Sequence, residues 1–204
     1  MKNNLTNLFL LILIVVLLLI CKRIFIFDDN VLYEMASLIY DHKTAVNYIY
    51  SIKQVEIIGI VIYVIKVLLQ VTFITLILKT GTYIKSTNVS LSKCFKVSIF
   101  ASYSIVIYII TTILYYYIQF EFLNNFEYFN PFTLASYIPN IDEIYWLKKI
   151  LTLFNLGTVI FLIMATLGWY KYTENNFKES FKFIMHVFGF TIIILETFNL
   201  LLII

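Results

Sequence analysis

Charge is scarce in this chain. Asp, Glu, Lys and Arg make up 13% of its 204 residues, where a soluble globular domain carries about 25%. Fifteen basic and twelve acidic side chains cannot coat a body of this size with a surface that faces water. Glycine and proline are rare as well, five and two residues, and both prolines, Pro131 and Pro139, fall in one stretch. Most of the chain therefore has no helix breaker and no flexible linker, and residues 1–204 read as a single membrane domain. The two cysteines, Cys21 and Cys94, are far apart, with no CxxC and no neighbouring histidine. That argues against a disulfide framework or a metal centre. The net charge of +3 is small and scattered, and no basic patch with interleaved aromatics appears. Nucleic acid is not an expected partner. HExxH, GxSxG and a glycine-rich phosphate loop are all missing, so the chain reads as no enzyme and as needing no cofactor.

What the chain does have is apolar length: 61% of its residues are hydrophobic. A hydrocarbon core about 30 Å thick takes roughly 20 apolar residues at helical rise. Five segments meet that length, at about residues 5–26, 57–78, 97–118, 147–170 and 183–204. They are too long for strands and lack period-2 alternation, which argues against a β-barrel. Backbone polar groups in lipid must be satisfied within the segment, which leaves helices. The expected fold is an all-α, polytopic membrane helical bundle. The first segment has no small residues before Cys21 to cleave at, and it reads as an uncleaved anchor. Between the first two spans, Leu32, Met35, Ala36, Ile39 and Tyr40 recur at helical spacing. That periodicity predicts an amphipathic surface helix around residues 31–52, with membrane lipid as its partner.

Orientation follows from lysine. The loop Lys79–Lys96 carries four lysines and no acid, and Lys171, Lys178 and Lys182 mark the next loop of that side. The loop Gln119–Trp146 carries no Lys or Arg. The positive-inside rule then puts the N-terminus in the cytoplasm and the C-terminus outside, with eight basic residues inside against six outside. Lys22 and Arg23 stand against the rule.

Ionisable groups inside spans are costly and mark functional candidates. Lys66, Glu196 and His186 are such groups. Counting residues from the expected outer boundary puts Lys66, Thr111, Asn155 and Glu196 about 10–14 Å deep on four different helices. Gln70 lies one turn from Lys66, and Asn199 three residues from Glu196, so both extend the layer. Three readings stay open: a Lys66–Glu196 pair in a polar layer on a small-solute or proton path, a pair that only fixes helix register, and a Lys66 that snorkels while Glu196 sits near the interface. Ser98 and Ser102 have small-xxx-small spacing and suggest close helix packing.

The third loop is aromatic. Phe129, Phe132, Tyr137, Tyr145 and Trp146, with Asn130 and Pro131 at a kink, suit either the headgroup region or the docking of a protein partner. The order of features also resembles a known family. A loop with Leu91–Lys96 leads into the third span, Asn130-Pro131-Phe132-Thr133-Leu134 follows it, the fourth span ends near Gly168, and Lys178-Glu179-Ser180-Phe181 opens the last. This resembles the bacterial branch of the Yip1-domain family over about residues 78–189. The resemblance implies five membrane helices, a cytoplasmic N-terminus, a bacterial inner membrane and a non-enzymatic role through a protein or lipid partner. No family tryptophan is matched at the entrance to the fourth span, and Lys66 is foreign to the family pattern. The alternative is a small transporter or transporter subunit organised around Lys66 and Glu196.

Overall fold

The computed structural model describes residues 2–25, 33, 36–37, 40–123, 151 and 155–201; at 2, 3, 25, 119–123, 190 and 192–201 it gives backbone alone. Five long helices make up the described part: α1 (Lys2–Phe25), α2 (His42–Ile84), α3 (Leu91–Leu123), α4 (Leu156–Thr173) and α5 (Phe177–Leu201). Among the described residues there is no extended strand. Stretches of α1, α2 and α3, at Asn4–Ile24, His42–Ile84 and Leu91–Ile118, are each long and apolar enough to cross a membrane. Their outward faces are apolar too: Phe9 on α1, Ile57 and Leu69 on α2 and Leu114 on α3 are all exposed. In water such a surface is unfavourable, and in lipid it is the expected one.

α3 is the central element. One of its faces, with Cys94, Val97 and Ala101, packs with Ile74 and Leu78 of α2, Ala165 and Trp169 of α4, and Phe183, Ile184 and Phe188 of α5. Ile99 and Ile109 of α3 join Leu11 and Val15 of α1 with Val67 and Val71 of α2. Neighbouring helices approach closely where residues are small. Ser98, Ala101, Ser102, Ala165, Thr166 and Gly168 are all buried along the seams, as expected where helices associate in lipid through packing. The Thr75 hydroxyl donates to Ser98 Oγ (2.9 Å), and Ser98 donates to the Cys94 carbonyl (2.9 Å). This chain of bonds fixes the register of α2 against α3.

The chain directions alternate. Asn4, near the start of α1, donates to Ser92 at the start of α3 (3.2 Å). Arg23, near the end of α1, pairs with Glu56 on α2 (3.2 Å). α1 and α3 thus run the same way, and α2 runs against both. Gly168 packs on Val97 and Phe100 while Gly157 packs on Tyr108, so α4 runs against α3. The links α2–α3 and α4–α5 meet at one end of the bundle, where Lys93 lies 3.8 Å from Glu174 and the Lys85 ammonium 5.4 Å from the Phe183 ring. The lysine-rich loops therefore share an end of the bundle.

Two sequence expectations change here. Residues 42–52, assigned to a separate surface helix, are the first turns of α2, which continues unbroken for 43 residues. No proline interrupts that stretch, and nothing in it stops a helix. At 1.5 Å per residue α2 is about 64 Å long, roughly twice the hydrocarbon thickness. Between Glu56 and Lys79 only Lys66 is charged, so 57–78 has the length and composition of a bilayer span and 42–56 is additional, more polar helix before it. α2 begins after Asp41, whose carboxylate accepts the Thr44 hydroxyl, a bond that holds the Asp41 pKa below its ordinary value. The second change is in the fourth apolar segment. Its helix α4 starts at Leu156 and not at 147.

Candidate functional site

The start of α4 is set by Asn155. Its backbone is extended (φ −110°, ψ 160°), and its side-chain oxygen accepts the Thr158 N–H (2.8 Å) and the Thr158 hydroxyl (3.2 Å). This is an N-cap, and asparagine is among the best residues for it. The sequence count puts Asn155 in mid-helix; the structure puts it at the N-cap, where α4 begins. The first amides of a helix have no intrahelical carbonyl to bond. Thr158 is satisfied by the cap.

That helix end does not lie at the bundle surface. Gly157 packs on Tyr108, and α3 continues beyond Tyr108 to Ile118 within its membrane-length stretch. The remaining ten or so residues rise about 15 Å. α4 therefore begins well inside the span of α3. Replacing Asn155 with Ala should lower stability by about 1 kcal/mol, within a range of roughly 0.5–2. Asn155→Ser should retain most of it. Thermal unfolding in a mild detergent reads both.

Around this end lies a cavity of about 420 Å³, within the usual range for small-molecule sites. α2 contributes Tyr63, Lys66, Val67 and Gln70; α3 contributes Ser104, Ile105 and Tyr108; Asn155 and α4 contribute the rest, including Gly157, Thr158 and Phe161. The Thr75–Ser98 bond explains why these groups meet. Going from Thr75 to Lys66 rises about 14 Å, and going from Ser98 to Ser104 or Tyr108 rises about 9–15 Å in the same direction. Lys66 and Gln70 are one turn apart and present the same face.

Among the described residues of the cavity wall, Lys66, itself exposed, is the only cation, and there is no carboxylate. The Lys66 ammonium lies 6.0 Å from the Tyr63 ring centroid, at the edge of cation–π range. Ser104 is 4% exposed, and among the described residues its hydroxyl has no hydrogen-bond partner. Gly157 matters because a Cβ there would stand 3.0 Å from Asn155 Oδ1 and 3.2 Å from Tyr108 Cδ2. Its absence lets the Tyr108 ring approach the helix start and keeps the wall open.

Of the six residues the sequence placed in a polar layer, Lys66, Gln70 and Asn155 line this one cavity. Thr111 does not: its hydroxyl donates to the Ile107 carbonyl on its own helix (2.8 Å). The side chains of Glu196 and Asn199 lie outside the described residues, as do Phe129, Asn130, Pro131, Phe132, Tyr137, Tyr145 and Trp146. Ser104, Tyr63 and Tyr108 were not singled out from the sequence as site residues. Ser104 lies outside the Ser98–Ser102 spacing, and neither it nor the tyrosines carry a charge to flag them. His186 stands apart from the cavity wall, its Nδ1 2.6 Å from the Lys182 carbonyl. A second cavity, of about 270 Å³, is lined by Leu19, Lys22, Arg23, Glu56, Gly59, Ile60 and Tyr63. Tyr63 belongs to both walls. No protein-family model, no curated protein and no solved structure matches the chain.

Proposed function

We propose that this chain is a membrane protein that admits a small polar solute into the cavity between α2, α3 and α4, as a transporter or the membrane subunit of one. The observation that carries this reading is the convergence of Lys66, Gln70, Ser104, Tyr108 and Asn155 on one space of about 420 Å³ at membrane depth. A lysine there is costly unless water or a ligand solvates it. A helix that starts inside the bilayer next to it is the arrangement in which broken helices bind solutes. Packing alone needs neither the open volume nor the interrupted fourth segment. Action through a protein partner rests on the aromatic third loop, and the cavity contributes nothing to that role.

The five-span arrangement belongs to the same proposal. α4, of 18 residues, and α5, of 25, continue the up-and-down order of the first three helices. The lysine-rich end would face the cytoplasm of a bacterial inner membrane, as the Yip1-like order of features also implies.

Water access is the test. In a background with Cys21 and Cys94 replaced by alanine, Ser104→Cys should react with a small charged thiosulfonate in membrane vesicles. Leu69→Cys, exposed on the apolar outer face of α2, should not, because a thiol in lipid does not ionise. Equal unreactivity at the two positions would rule out a hydrated cavity.

A further inference from the structure

The cavity has a sign as well as a size. Resting on the solute-binding reading above, we propose that the solute is a small oxyanion, bound by carboxylate, phosphate or sulfate-type oxygens between the Lys66 ammonium and the start of α4. Three features act in the same direction. Lys66 supplies a full positive charge to a wall with no described carboxylate. The N-terminus of α4 supplies about half a positive charge and amides that its own helix leaves without acceptors. Ser104, 4% exposed and lining the same space, has a hydroxyl with no described acceptor. Gly157 keeps a side chain from covering the amide at the second position of the helix, where a Cβ would crowd Asn155 and Tyr108.

A cation would meet the reverse of all this. It would be repelled by Lys66 and by the helix end, and among the described residues it would find only neutral oxygens to bind. A neutral solute would leave Lys66 without a counter-charge.

Equilibrium binding to the purified protein in mild detergent tests this. The probes are inorganic phosphate, sulfate and acetate, with glycerol and ammonium as neutral and cationic comparators. At least one oxyanion should bind saturably to the wild type, and the comparators should not. Lys66→Gln should weaken that binding about tenfold or more, as expected on losing a charged hydrogen-bond donor. Lys66→Arg, which keeps the charge, should stay within about threefold, and Ser104→Ala should lose about threefold. Size-exclusion profiles identify any variant that has merely misfolded, and Lys66→Arg then decides for that position.

Unchanged oxyanion binding by a monodisperse Lys66→Gln protein would overturn the proposal. So would binding that appears only after Glu196→Gln, because Glu196 would then be the counter-charge of Lys66. A response to phosphatidylglycerol in the micelle with none to the soluble oxyanions would assign the site to a lipid headgroup and also overturn it. If Ser104→Cys is labelled and no oxyanion binds, the hydrated cavity stands and its anionic ligand does not. If Ser104→Cys is unreactive, both readings fall.

Discussion

Trp169→Ala should destabilise the protein by about 3–5 kcal/mol, the range for removing a large aromatic from a packed core. Trp169 is 1% exposed, and its ring stacks on Phe183 with centroids 4.1 Å apart and planes 16° from parallel. It belongs to the cluster in which Leu78 and Ile74 of α2, Val97 and Ala101 of α3, and Ile184 of α5 also meet. Four helices therefore lose contacts with one truncation. In a bilayer the unfolded helices are already in an apolar medium, so the loss is felt mainly as missing packing. Trp169→Phe should cost far less. The indole N–H has no hydrogen-bond partner among the described residues, and phenylalanine removes that buried donor along with some volume. Reversible unfolding in mixed micelles, followed by helix content, separates the two variants. Equal losses for Phe and Ala would mean that the indole N–H is satisfied by a group outside the described residues.

Much of the membrane character was legible in the sequence, and the reasons are specific. Leu8–Ile20 is wholly apolar, and α1 follows it closely. Ser98 and Ser102, four residues apart, are both fully buried on α3. The depth count puts Lys66 and Asn155 at one level because antiparallel helices share a ruler of 1.5 Å per residue, and both line one cavity. Thr111, put at the same level, is not among the described lining residues. Depth says nothing about which way around the helix a side chain points, and Thr111 satisfies itself on its own backbone.

The interrupted fourth segment shows a different limit. Behind Lys148 and Lys149, the residues Ile150, Leu151, Leu153 and Phe154 are apolar right up to Asn155, so hydropathy does not mark the break. The signal that marks it is local. Asn155 followed by Leu156-Gly157-Thr158 is a cap sequence, and a single side-chain oxygen decides where the helix begins. α2 is the reverse case: the periodicity around 31–52 suggests a separate surface helix, although no breaker divides 42–52 from the span. Tyr108 and Ser104 became site residues only through the register that Thr75 and Ser98 impose, a pairing between helices that no single segment encodes.

The second large effect is expected at Gly81. A Cβ at this position would stand 2.5 Å from Val187 Cγ2, and 3.3 Å from both Phe183 Cζ and Val187 Cγ1. Gly81 is buried near the end of α2, where that helix meets α5. Helix propensity alone favours alanine over glycine by about 1 kcal/mol. Packing opposes it, because valine is β-branched and cannot swing its methyl groups aside without leaving its preferred rotamer. Gly81→Leu should therefore cost about 2–3 kcal/mol, the upper part of the range for overpacking, and Gly81→Ala should be destabilising despite its propensity. Val187→Ala removes both methyl groups that the new Cβ would meet. In that background Gly81→Ala should become neutral or stabilising, so the double mutant should be more stable than the sum of the single effects predicts. Unfolding of the four proteins in one detergent checks this. Strict additivity would show that α2 and α5 do not meet at this point, and the α2–α5 contact would have to be redrawn.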